Sequence, residues 1–322
     1  MSTVTRHPYR DGFTYKNSQG VTLKDSAVKR FIEDLVIPPA WNEVEIETDR
    51  SAKVYAVGRD DAGRKQYIYN PDFVKKQEEQ KYERIVRFGK QLEPMRRVTG
   101  QHMREDDMTK QKVLACMVRL IDSAYFRPGN QQYSEDNDTY GLTTMRSKHL
   151  TIKNNRLVFE YVGKSSKEQK RVVEDKKLAT IVAELNEMPG YEIFQYIENG
   201  DKKSVQSQDL NEYIKHVMGE DFSAKDFRTW AGTVIAAIAL DELGISKDER
   251  ESKSNVVKAV KAVSKKLGNT DAVARANYID PRVINSYVDG KTISYFRKEL
   301  KDIESLSSPE ERAVLLMLKS IV

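Results

Sequence analysis

Side chains capable of chemistry collect in two stretches of the chain. "GRKQYIYN" (63–70) sets Arg64 and Lys65 beside Tyr67 and Tyr69. In a strand, Lys65, Tyr67 and Tyr69 share one face. A flat face of cation and rings suits a nucleic-acid groove, the charge meeting phosphate and the rings meeting sugars or base edges. Taken alone, the same pattern also describes an ordinary exposed β surface. The second stretch, "KKLGNTDAVARANYIDPRVINSY" (265–287), holds Tyr278 where two helices meet. Thr270 with Asp271 starts one helix, Asp280-Pro281 starts the next, and Gly290 closes it. A tyrosine there either plugs a gap or presents a phenol. Lys81, Arg84, Arg87 and Lys90 add a basic stripe that drifts around a helix, adequate for tracking phosphates or simply for solvation. Other chemistries are disfavoured. His7, His102, His149 and His216 have no ligand spacing with one another or with Cys116. There is no GxxxxGK[ST] phosphate loop and no GxSxG elbow.

These side chains need elements to hold them. The 322 residues are enough for about two domains at roughly 150 residues each. With 32% charged and 39% hydrophobic residues, the composition is that of a globular protein with a hydrated surface. A net charge of +5 permits a polyanionic partner without demanding one. Residues 1–76 read as a small β-rich domain: "GFTY", "VEIET", "AKVYAVG" and "KQYIYN" alternate polar with aromatic or branched residues. One helix (23–35) interrupts them, with Ala27, Phe31, Ile32 and Leu35 at helical spacing. From residue 77 the chain turns charged and helical. Residues 110–126 form an amphipathic helix, and 140–164 revert to strand chemistry around the turn "KNNR", predicting one inserted hairpin. Helices follow at 175–187, 208–218, 223–243 and 251–267, then the pair flanking Tyr278. The expected class is α+β, a β-rich N-terminal domain (1–76) followed by a mostly α-helical catalytic domain (77–322) with an inserted β-hairpin. The single cysteine, Cys116, excludes an internal disulfide and reads as a packing residue. The longest apolar run, "VIAAIAL" (234–240), is too short for a membrane span. With no signal peptide at the start, an intracellular location is expected.

Four stretches of the second domain fall into a pattern: "YFRPGN" (125–130), "YVGK" (161–164), "KDFRTWAG" (225–232) and "GNTDAVARANY" (268–278). Together they resemble the type IB DNA topoisomerases, especially the compact poxvirus-like and bacterial kind. "IPPAW" (37–41) and "RKQYIY" (64–69) resemble the DNA clamp of the same family. Each stretch is weak alone; all six in order make a specific signal. The resemblance implies that Tyr278 is the nucleophile attacking a DNA phosphodiester. It implies that Arg127 and Arg228 grip the scissile phosphate and that Lys164 helps protonate the departing 5′ oxygen. Asn269 stands where poxvirus enzymes have histidine and bacterial ones often have asparagine. Gln66, Tyr67 and Tyr69 match clamp residues that touch DNA, Tyr133 matches a further DNA-contacting position, and the charged Arg64 and Lys65 join them. The implied activity is relaxation of supercoiled double-stranded DNA by a monomeric clamp, through a 3′-phosphotyrosine, with neither ATP nor a metal cofactor, in a DNA-associated setting.

Elementary chemistry supports these roles. A phenol of pKa about 10 must lose its proton on attack. Guanidinium groups supply permanently charged forks for the nonbridging oxygens, and a lysine can protonate the leaving alkoxide. Two other readings compete. Tyrosine recombinases share the chemistry but commonly carry histidine three residues before the second arginine, where this chain has Lys225. A non-catalytic DNA-binding protein on the same scaffold would not need the full set of catalytic residue types. Gln132 replaces a basic residue of the poxvirus pattern, and Ser165 an acidic one, which puts cleavage-site preference in doubt. One geometric tension remains. In a single straight helix, the nine residues from Asn269 to Tyr278 rise about 13.5 Å and face opposite ways. The segment must therefore bend or break, or Tyr278 must swing in on DNA binding.

Overall fold

The computed structural model describes residues 3–219, 222–300 and 305–321, apart from the side chains of Glu78, Glu79, Tyr133 and Asp136. The chain divides into two compact units, Met1–Glu83 and Arg84–Val322.

In the first unit β1 (Thr3–Tyr9) and β2 (Gly12–Asn17) form a hairpin, and α1 (Ser26–Asp34) follows. Then come β3 (Asn42–Glu47), β4 (Val54–Arg59) and β5 (Lys65–Tyr69). The antiparallel sheet runs β2-β1-β3-β4-β5, so β5 is an edge. Asp25 caps α1 by accepting from the Ala27 and Val28 backbone N–H groups. Val4, Ile32, Val44, Ile46 and Ala56 form the core, with Phe31, Leu35 and Trp41 packed against it. Ala27, expected on the buried face of α1, stays exposed. The "IPPAW" segment is tied down by Arg6, which donates to the carbonyls of Pro38 at 3.1 Å and of Trp41.

Helix α2 (Pro71–His102) begins in the first unit and ends in the second, and it contains the boundary expected at 76/77. α3 (Lys110–Ala124) is the buried centre of the second unit, from Val113 to Ile121 along almost its whole circumference. Cys116 is part of that packing, fully buried. α4 (Gln131–Asn137) precedes β6 (Leu150–Lys153), β7 (Arg156–Gly163) and β8 (Lys167–Glu174), a three-stranded antiparallel meander in the order β6-β7-β8. α5 (Lys176–Glu187) leads to a second hairpin, β9 (Gln195–Glu198) and β10 (Asp201–Ser204). The helical remainder is α6 (Ser207–Met218), α7 (Ala224–Leu243), α8 (Glu249–Leu267), α9 (Asp271–Tyr278), α10 (Pro281–Val288), α11 (Ile293–Arg297) and α12 (Pro309–Ser320).

The α+β class is as expected, but the insertion is larger than one hairpin. The "KNNR" turn does join β6 to β7, yet β8 adds a third strand. The residues expected to open the hairpin instead form two 3₁₀ turns, Leu142–Thr144 and Ser147–His149. Leu142, Thr143 and Thr144 are buried there, so packing overrides their strand propensity. Among the described residues no helix is long and apolar enough to cross a membrane.

Candidate active site

The site is built where α3, α7, α8 and α9 end or begin. α3 stops at Tyr125, which takes the left-handed conformation (φ 61°). Phe126 then buries itself edge-on against Phe159 and stacked on Tyr161 of β7, with centroids 5.0 and 6.1 Å apart. That anchor fixes the next residue, Arg127.

α7 opens on a capping box: the Ser223 N–H and hydroxyl both donate to the Asp226 carboxylate. Asp226 also takes Arg84 in an ion pair of 2.6 Å, so that member of the basic stripe is committed to packing α2 on α7. Arg228, one turn further, is 2% exposed. An unmet guanidinium would be costly there; its Nη groups donate to the carbonyl of Tyr125, the carbonyl of Leu267 at 3.0 Å and Asn269 Oδ1 at 3.4 Å, while its Nε is buried without a hydrogen-bond partner. Burial, with Arg127 adding repulsion, lowers Arg228 to about 10, which leaves it charged at neutral pH.

α8 ends at Gly268, whose φ of +68° is the left-handed cap that glycine takes without strain. Asn269 follows, its N–H returning to the Ser264 carbonyl at 2.9 Å. Thr270 then caps α9, its hydroxyl accepting from Val273. Asn269 therefore lies outside α9, in the break between two helices. This resolves the nine-residue tension, because the chain turns between Asn269 and the helix that carries Tyr278. Asn269 Oδ1 accepts from Arg127 and Arg228, while its Nδ2 is buried without a hydrogen-bond partner.

Tyr278 is the last residue of α9. Its carbonyl packs on Gly232 of α7, where a Cβ would meet the Tyr278 oxygen at 2.3 Å. Beside it the Thr233 hydroxyl accepts the Asp280 N–H at 3.1 Å. The Arg228 guanidinium lies over the Tyr278 ring, 5.1 Å from its centroid. Burial pushes the phenol up, but hydrogen bonding and charge from Arg228, with Arg127 and Lys225 adding to them, outweigh it and hold the phenol below its ordinary value. Lys164 sits at the β7–β8 turn, followed by Ser165 and Ser166 with φ of 63° and 53°. It lines a small cleft together with Arg127, Tyr161, Arg171 and Arg228.

The structure thus joins Arg127 and Arg228 through Asn269, lays Arg228 over the Tyr278 ring, and sets Lys164 on a cleft that both arginines line. Tyr287, the nearest other tyrosine to Tyr278, is 1% exposed and donates to the Gly244 carbonyl at 2.9 Å. Sequence reasoning missed Arg171, Gly232 and Thr233, since their partners are distant in sequence. In the first unit Lys65, Tyr67 and Tyr69 do share the exposed face of β5, with Tyr67 and Tyr69 stacked at 5.8 Å. Arg64 and Gln66 are held differently, both donating to Asp60 Oδ2 at 2.8 to 2.9 Å. The Tyr133 side chain lies outside the described residues, and Gln132 is exposed.

Comparison with known proteins identifies the architecture. Residues 70–305 match the family model for the eukaryotic DNA topoisomerase I catalytic core. Residues 12–60 match the bacterial DNA topoisomerase IB N-terminal domain. A mimivirus protein, DNA topoisomerase 1B of Acanthamoeba polyphaga mimivirus, is 29% identical over 290 residues, covering 87% of this chain and 85% of its own. DNA topoisomerase 1B of Vaccinia virus (strain Copenhagen) is 25% identical over 171 residues, 51% of this chain and 54% of its own. DNA topoisomerase 1 of Candidozyma auris is 27% identical over 139 residues, 42% of this chain and 17% of its own. With a family model matched over well more than half its length, the chain belongs to the DNA topoisomerase I family, in its compact type IB form.

Proposed function

We propose that this chain relaxes supercoiled double-stranded DNA through a covalent 3′-phosphotyrosyl intermediate on Tyr278. The observation that carries this reading is that Arg228, linked through Asn269 to Arg127, lies over the Tyr278 ring and that the two arginines hold its phenol below its ordinary pKa. The Tyr278 oxygen attacks the scissile phosphorus and loses its proton to solvent. The bond from phosphorus to O5′ breaks, and Lys164 supplies the proton that O5′ takes. Arg127 and Arg228 hold the nonbridging oxygens, and the unpartnered Asn269 Nδ2 donates to one of them. The phosphodiester energy is kept in the phosphotyrosine, so the freed O5′ reverses the step after strand rotation without ATP. The arginines take the electrostatic part that a metal plays in other phosphoryl-transfer sites. The chain acts as a monomer, in a DNA-associated setting inside the cell. The Met1–Glu83 unit is the clamp, with Lys65, Tyr67 and Tyr69 toward the duplex, and the Arg84–Val322 unit is catalytic.

The test is supercoiled plasmid with chelator and no ATP, followed by denaturing gels for a protein–DNA adduct. Wild type should relax the plasmid and yield the adduct, and Tyr278→Phe should bind DNA and yield neither. Plasmid that stays supercoiled at every salt concentration, or an adduct that persists in Tyr278→Phe, would overturn the reading.

A further inference from the structure

Arg171 is a second buried guanidinium beside the site, 8% exposed, on the inward row of β8 between Gln169 and Val173. Its Nη1 donates to the Lys266 carbonyl, and its Nη2 donates to the Leu267 carbonyl at 3.0 Å and to Gln169 Oε1 at 2.7 Å. Lys266 and Leu267 are the last residues of α8, immediately before Gly268 and Asn269. The Leu267 carbonyl also accepts from Arg228, at 3.0 Å. Gln169 closes the other side, since a Cβ on Gly268 would meet its Oε1 at 2.2 Å. The strand that continues from the Lys164 turn is therefore bonded directly to the break that aims Asn269, and it shares a carbonyl with Arg228. The Nη groups of Arg171 are engaged by carbonyl and amide oxygens.

We propose that Arg171 is a positioning residue for strand cleavage. It locks the α8–α9 junction to the β7–β8 turn, so that Asn269, Arg228 and Lys164 keep one geometry before DNA arrives. This rests on the reading of the site given above. Arg171 acts through Asn269 and touches no reacting atom. A merely structural arginine would lower stability without being coupled to Asn269. The two roles separate in a double-mutant cycle.

The experiment measures single-turnover cleavage, DNA affinity and melting temperature for wild type, Arg171→Met, Asn269→Ala and the double variant. Arg171→Met should slow cleavage about 10- to 100-fold with DNA affinity unchanged, and should slow the Asn269→Ala enzyme by no more than about 3-fold. Arg171→Lys, whose single nitrogen cannot span both carbonyls, should fall between wild type and Arg171→Met. Cleavage at the wild-type rate in Arg171→Met, or the same loss in both backgrounds, overturns the proposal. If Arg171→Met does not fold, Gln169→Met goes through the same cycle, and an equal loss in both backgrounds again overturns it. A wild-type enzyme that forms no adduct would instead refute the reading of the site itself, so the two failures are distinguishable.

Discussion

Replacing Gly232 with alanine tests whether the seat of Tyr278 on α7 matters to the chemistry. The new Cβ would lie 2.3 Å from the Tyr278 carbonyl oxygen and 2.9 Å from its Cβ, where ordinary contact begins at 3.4 Å. α9 must therefore withdraw by roughly 1 Å at its last residue, because α7 is buried and has no room to recede. The Asp280 N–H to Thr233 bond, on the next residue of α7, stretches with it. A displacement of about 1 Å at a reacting group costs on the order of 10²-fold in rate. Stability changes less, since overpacking costs about 1–3 kcal/mol and alanine recovers about 1 kcal/mol of helix propensity. Gly232→Ala should thus melt slightly lower, bind DNA as wild type does, and cleave about 100-fold more slowly in a single-turnover assay with a short, dissociating leaving strand. Gly100→Ala is the control: it sits inside α2 with nothing within 4 Å of its Cβ, so cleavage should be unchanged. Wild-type cleavage by Gly232→Ala, or a rate loss matched by lost affinity, would show that this contact does not position the tyrosine.

Asn269→Ala should cleave about 10²- to 10³-fold more slowly, as expected for removal of one donor aimed at transition-state charge, with affinity unchanged; a normal rate would reduce Asn269 to a structural link between helices. Lys65→Ala should reduce the slope of log affinity against log salt by about one charge. Arg64→Ala should change it less, because Asp60 already holds that guanidinium at 2.8 Å; equal effects would contradict the pairing. Burial, with Lys148 and Arg146 adding to it, lowers the His149 imidazole from 6.5 to about 4. Between those values the unfolded chain binds a proton that the folded chain refuses, so this contribution is complete above about pH 6.5 and is lost as pH falls toward 4. Melting curves of His149→Gln should therefore be flatter across that window than those of wild type, and superimposable pH profiles would sink the assignment.

The helix boundaries around Tyr278 were legible because their caps are local: Thr270 accepts from Val273, and Asp280 from Arg282. The face of β5 was legible for the same reason, since strand alternation needs no distant partner. β8 was not, and its reason is informative. Its inward row is Gln169, Arg171 and Val173, so two of three buried positions are polar and the apolar alternation disappears. They are polar because they serve the α8–α9 junction rather than the core. The preceding turn also lacks glycine, although Ser165 and Ser166 both take left-handed φ. The basic stripe was misread at Arg84 because its partner, Asp226, lies 142 residues away. The β9–β10 hairpin had a local signal, Asn199-Gly200, that went unused.

The partners that hold Arg127, Arg171 and Arg228 share a property with a consequence for catalysis. Among the described residues, their hydrogen-bond acceptors are backbone carbonyls, side-chain amides and the phenols of Tyr161 and Tyr278, and none is a carboxylate. Two of the carbonyls close the C-terminus of α8, the negative end of its dipole. Partial charges can orient a guanidinium without neutralising it. A carboxylate would orient it too, but the incoming phosphate would then have to displace a full counter-charge. On the proposed reading, Arg127 and Arg228, held by dipoles, would meet the DNA strand with their charge uncompensated, and no ion pair would have to be broken before the transition state could use them.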